Sequence, residues 1–205
     1  MADSWTPQEW ARLHGGRKFV AKVTPWGDPT DMEGAVTRAL IYKFMILTGL
    51  RCGEVASLTV SSLRLDEANP YVLIEGRHAK SGKAALLPLR PDLADDLRKH
   101  IANTAQGDGG EPTTDAPLFN LGRNFLRTFN LDLAAAGIVK RDGQGRTIDV
   151  HSLRHTFATL LARKGVSPSV AQKLMRHSDI RLTMNTYTHL DVADTAAAVA
   201  ELPAF

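Results

Sequence analysis

HSLRHTFATLL, residues 151–161, opens a helix predicted over His151 to Lys164. Residues three and four apart are neighbours on a helix, so His151, Arg154 and His155 share one face. Two histidines at i and i+4 match the spacing of zinc helices, but those carry HExxH. Here Ser152, Leu153 and Arg154 stand between them, with no carboxylate base and with a repelling cation. No metal site is expected.

Helical pattern continues on both sides. Downstream, Ser167 and Pro168 make a clean helix start for a segment to Arg176. Further helices are predicted over Arg181 to Tyr187 and over the alanine-rich stretch Asp191 to Leu202, where Val192, Ala196, Val199 and Leu202 form one stripe that packs at home or on a neighbour. Upstream, Leu121 to Ala136 is helical, and residues 103–116, rich in Asn, Gly, Thr, Pro and Asp, read as a flexible loop after a helix from Asp92 to Ile101. Tyr71 to Glu75 and Ala84 to Leu89 are β-prone runs around a polar segment, a hairpin with Lys80 at its tip. A helix from Asp31 to Leu47 carries Val36, Leu40, Phe44 and Leu47 at helical spacing and ends at Gly49, so Arg51 sits just past its C-terminus. A short helix with Glu54 and Leu58 follows. Residues 1–30 hold a capping box, Thr6 to Glu9 with Pro7, opening a helix through Trp10 and Leu13, then a loop. The pattern is α+β, mainly α-helical, with a small antiparallel β-hairpin or sheet.

The 205 residues, 43% of them hydrophobic, suffice for one full core, and residues 1–205 are read as a single domain. No run approaches a spanning helix and MADSWTPQEW is not of signal-peptide type, so a cytoplasmic protein without membrane contact is expected. The single cysteine, Cys52, cannot form an internal disulfide and reads as a small buried filler.

The formal charge of +3 conceals an asymmetry. Residues 121–190 carry eleven Lys/Arg against four Asp/Glu, while the stretch before them carries 14 against 15. A basic half suits a polyanionic partner, because each neutralised phosphate releases a condensed counterion; a solvated basic surface is the bland alternative.

Each candidate residue also has an ordinary reading. Arg51 pairs with Glu54 at i,i+3, Lys80 is a solvated hairpin tip, His177 caps a helix end, and Tyr187 is half-buried core. Four segments together argue otherwise: TGLRCGEVASL (48–58), HAKSGKAALLPL (78–89), HSLRHTFATLL (151–161) and LMRHSDIRLTMNTYTHL (174–190). In this order they resemble the tyrosine recombinase, or phage integrase, family, across the whole catalytic domain from about Thr6 to Leu190.

The resemblance implies that fold and a site-specific DNA recombinase or integrase of a mobile genetic element. Arg51 and Arg154 would bind phosphate, Lys80 would be the hairpin lysine, His151 and His177 the histidines, and Tyr187 the nucleophile. Glu54 and His155 would support the site. The chemistry fits these types: two planar guanidiniums suit the charge crowded onto a phosphate under in-line attack. A phenol of pKa near 10 needs an acceptor, which points to His151, and the departing 5′-oxygen needs an acid, for which Lys80 stands. A 3′-phosphotyrosine keeps the energy of the broken bond, so neither a cofactor nor ATP nor metal is required.

The family commonly has glycine where Arg176 stands, so Arg176 either adds a phosphate contact beside Lys173 and Arg181 or faces solvent. Residues 1–30 are too short for the family's N-terminal core-binding domain, so the expectation is a catalytic domain without that partner, monomeric until several copies meet on double-stranded DNA and exchange the final helix. Two other readings stay open. Ser167 to Tyr187 also looks like a helix-turn-helix of a regulator, and a type IB topoisomerase shares the chemistry.

Overall fold

A computed structural model describes residues 32–78, 82–107, 113–122 and 124–187. Helix α1 (Met32–Thr48) runs through the centre. The expected stripe is too narrow for it: Leu40, Ile41, Tyr42, Phe44, Met45 and Ile46 are all buried, while Val36 is 55% exposed. A helix apolar on most sides is one that neighbours cover on most sides. Helix α5 (Val150–Arg163) and helix α3 (Pro91–Gly107) both pack on α1. Phe44, Met45, Leu50, Val55, Phe129, Leu133 and Leu153 form one continuous core with the sheet.

Buried polar groups fix the helices against each other. Tyr42 donates to Asp132 Oδ2 at 2.6 Å and Arg38 Nε to the same oxygen at 2.9 Å, tying α1 to helix α4 (Phe125–Ala135). Lys43 Nζ reaches Asp92 at 2.9 Å and Asp96 at 2.7 Å, tying α1 to α3.

The hairpin forms as expected, with β2 (Tyr71–Ile74) antiparallel to β3 (Ala85–Pro88) and Val72 opposite Leu87. A third strand, β1 (Leu63–Arg64), adds to the other edge of β2. Two residues are too short to show an alternating pattern in sequence. The predicted hairpin tip, Lys80, lies outside the described residues, as do the predicted helices over 6–13 and 191–202.

Two boundaries move. Helix α3 continues to Gly107, where a break after residue 102 was expected; Thr104 bonds its own helix at His100 O instead of competing with it. Residues 113–116 are tied down too: Val60 N donates to Ala116 O at 3.0 Å and Ser61 N to Thr114 O at 2.8 Å. Helix α4 starts at Phe125, four residues later than predicted, after a turn in which Phe125 N donates to Gly122 O.

Helix α2 (Cys52–Ala56), helix α6 (Pro168–Met175) and helix α7 (Ile180–Tyr187) complete the chain. Helix α7 packs on both α6 and α5, and α6 packs on α5 as well. No helix among the described residues is long and apolar enough to cross a membrane.

Candidate active site

The site begins with a chain reversal. Thr48 ends α1, Gly49 turns with φ +62°, and a Cβ there would strike the ring of Phe157 on α5. Only glycine serves both needs. The reversal points Gly49 O at α5 and starts α2 with Arg51 as its N-cap. Glu54 at the third helical position accepts the Arg51 backbone N–H at 2.7 Å, which fixes the Arg51 backbone.

Arg154 comes from the second turn of α5. That helix starts sharply because Asp149 and Ser152 cap it reciprocally, each side chain accepting the other's backbone N–H at 3.0 Å. Arg154 is 3% exposed, and its two terminal nitrogens donate to Gly49 O and to Met175 O at the end of α6. One guanidinium thus clamps three segments.

Helix α6 ends where Arg176 takes a left-handed conformation, φ 53° and ψ 42°. The Arg176 side chain is 8% exposed and does not face solvent. Its Nη2 donates to Glu54 Oε2 at 2.7 Å, while Nε and Nη1 are buried without a hydrogen-bond partner. Glu54 therefore serves two arginines, with Arg51 Nη1 at 3.4 Å from its other oxygen. His177 follows, its Nδ1 2.9 Å from Thr183 Oγ1 on α7. Across from it, His151 and His155 meet edge to face on α5, their ring centroids 4.9 Å apart.

The electrostatics show that these groups share one region. Burial, and then the charges of Arg51 and Arg176, push the Arg154 guanidinium down to about 9, with Glu54 opposing. His177 is pushed down to about 4 by burial, then by Arg154, Arg51, His155 and His151. His151 is lowered by desolvation, then by His155 and Arg154, and His155 by desolvation and Arg154 against Asp149. All three shifts favour the neutral imidazole near pH 7. Among the described residues, Glu54 is the one carboxylate that acts on both Arg154 and Arg176, against the three cations Arg51, Arg154 and Arg176 in a partly desolvated place. Such a place favours an anion.

Tyr187 stands apart. It closes α7, half-buried, and its hydroxyl donates to Val166 O in the α5–α6 connection. Burial raises its pKa. The structure thus gathers Arg51, Glu54, His151, Arg154, His155 and His177, while the Tyr187 hydroxyl is held on Val166 O, on the helix that also brings Thr183 to His177. Lys173 is exposed and Arg181, 85% exposed, pairs with Asp179 at 2.7 Å. Sequence reasoning missed Thr183, the carbonyls of Gly49 and Met175, and the burial of Arg176. The glycine at 49 was a partial signal for the first carbonyl; the others arise only from tertiary contact.

A mainly helical domain with a three-stranded sheet and a cluster of arginines and histidines drawn from three separate segments is the class that fold and site define. The chain belongs to the phage integrase family, whose pattern matches residues 28–194. It is 31% identical over 169 residues to the tyrosine recombinase XerD of Lacticaseibacillus casei, covering 80% of this chain and 53% of that protein. It is 32% identical over 157 residues to XerA of Saccharolobus solfataricus, covering 76% and 46%. The chain spans about half the length of the curated relatives it matches. Among solved structures, the XerA recombinase superposes with a TM-score of 0.67 at 20% identity, over 100% of this chain and 67% of that one. The catalytic domain of bacteriophage HP1 integrase superposes with a TM-score of 0.61 at 24% identity, over 99% and 96%. These likenesses establish the tyrosine recombinase catalytic-domain fold.

Proposed function

We propose that this chain cuts and rejoins duplex DNA at specific sites, through a covalent 3′-phosphotyrosine at Tyr187. The observation that carries this reading is the buried Arg154, held by two carbonyls next to Arg51, with Glu54 the one acid among the described residues that acts on it. Fixed donors aimed at a place where charge develops are what a phosphoryl transfer needs from a protein. Relatives support it: XerH has been solved with its difH substrate in a post-cleavage complex, and the Tn1549 transposon integrase with transposon end DNA.

In the proposed reaction a DNA phosphodiester sits between the Arg51 and Arg154 guanidiniums. The Tyr187 oxygen leaves Val166, attacks phosphorus, and passes its proton to neutral His151. The bond to the 5′-oxygen breaks as Lys80 protonates it. With the Thr183 hydroxyl donating to Nδ1, His177 carries its hydrogen on Nε2 and donates it to a phosphate oxygen. His155 and Glu54 hold the neighbouring side chains. Rejoining runs the same steps backward with a 5′-hydroxyl as nucleophile, so energy is conserved in the phosphotyrosine and no cofactor enters. Lys173 and Arg181 grip the backbone outside the site. Several copies act together on DNA, exchanging the helix predicted over 191–202, and separate to monomers without it; the place is the cytosol, where DNA is reached.

The test uses a pool of nicked duplexes of randomised sequence, incubated in EDTA. The wild-type chain is expected to retain strands that survive denaturation, and Tyr187→Phe none. Equal retention by both would remove Tyr187 as the nucleophile and the proposed reaction with it.

A further inference from the structure

Arg176 is the least expected side chain near the cluster. A left-handed helix cap ordinarily takes glycine, which bears no Cβ penalty there. Here the position carries the bulk of an arginine, almost wholly buried, with two of its three nitrogens lacking any hydrogen-bond partner. A buried cation with unmade hydrogen bonds is costly to hold, so something specific must retain it.

The retaining contact is Glu54, and the way its carboxylate is divided is informative. Oε2 takes both the Arg51 backbone N–H and Arg176 Nη2, each at 2.7 Å. Oε1 meets the Arg51 guanidinium only at 3.4 Å. The carboxylate charge is therefore committed mainly to Arg176, whereas the Arg51 side chain, 32% exposed, is loosely tethered and open. Without Arg176, a carboxylate 4% exposed would draw Arg51 down as its counter-ion, since a buried charge cannot be left unpaired.

We propose that Arg176 is a positioning residue for the phosphate site: by occupying the Glu54 carboxylate it keeps the Arg51 guanidinium free for an incoming oxyanion, and it adds a third positive charge beside Arg51 and Arg154. This rests on the reading that Arg51 and Arg154 take a phosphate. The charge coupling of Arg176 to both Arg51 and Arg154 is consistent with a shared anion.

Inorganic phosphate, titrated at constant ionic strength with thermal stabilisation as readout, tests the anion site without reference to DNA chemistry. The wild type is expected to show saturable stabilisation. Arg176→Gly, which relaxes the left-handed backbone and should fold at least as well, is expected to bind phosphate at least tenfold more weakly, and Arg176→Lys to recover most of that loss. In a Glu54→Gln background, where Arg51 is released anyway, removing Arg176 should cost less than in the wild type. Phosphate binding by Arg176→Gly equal to wild type overturns the proposal, as does the absence of saturable phosphate binding in the wild type. A parallel assay for the Tyr187 adduct separates the two ideas: no adduct from a wild type whose phosphate binding depends on Arg176 sinks the strand-transfer reading and leaves the assignment of Arg176 supported.

Discussion

The chemistry at the level of single residues depends on charge that is not neutralised within the protein. Arg154 makes a planar, two-ended contact with Gly49 O and Met175 O that an ammonium cannot reproduce. Arg154→Lys is expected to slow adduct formation by about 10² to 10³, the usual cost of losing one aimed donor, while duplex affinity measured by anisotropy changes little. The histidines give a second prediction, with its sign fixed by linkage. His151, His155 and His177 have folded pKa values below the ordinary 6.5, that of His177 at about 4, so the unfolded chain takes up more protons as pH falls. Their contribution to stability is complete above about 6.5 and drains away below it, in the case of His177 down toward about 4. The melting temperature should therefore fall between pH 7 and 5, less so in Arg154→Met, where a repelling cation is gone. A melting temperature that rises over that interval in the wild type would contradict the charge arrangement.

Among the elements, those that carry the site are positioned by their ends more than by their faces. Glu54 and the Asp149–Ser152 pair set where α2 and α5 begin, and Gly49 and Arg176 set how α1 and α6 end. Gly49→Ala is expected to cost about 2 kcal/mol in urea unfolding, from positive φ together with the collision with Phe157, and to slow cleavage through displacement of the carbonyl that holds Arg154. These ends also explain what could be read beforehand. The helix over 151–164, the stop at Gly49 and the hairpin were legible because capping residues, glycine and alternation are local signals. The residues grouped from four motifs were legible only through their family order, and the structure does bring Arg51, Glu54, His151, Arg154, His155 and His177 together. Strand β1 was hidden by its length, and the extension of α3 to Gly107 by polar residues that serve loops and helices alike. Arg176 was the least legible: beside Lys173 and Arg181 it reads as a phosphate contact or a solvent-facing charge, and only the reach to Glu54, 122 residues earlier, buries it.

For the molecule as a whole, the site is held by helix α1, and α1 is held by the ion pairs of Arg38 and Lys43 as well as by its core. Asp132 accepts from Tyr42 and Arg38 at once, so Asp132→Ala strands the buried Tyr42 hydroxyl and takes an acid away from Arg38. A loss of about 3 kcal/mol in urea unfolding is expected, with the m-value unchanged. The basic half, eleven cations against four acids over residues 121–190, predicts DNA binding dominated by counterion release. Affinity should fall by about 10³ or more between about 50 and 200 mM salt; a flat salt response would mean that this face does not meet the backbone. The central claim, that a phenol and no other group carries the DNA, is tested most directly by digesting the trapped covalent complex with nuclease and protease and finding the nucleotide-bearing peptide by mass spectrometry. The nucleotide is expected on Tyr187, in the peptide running from Leu182. A nucleotide on any other residue would contradict the mechanism.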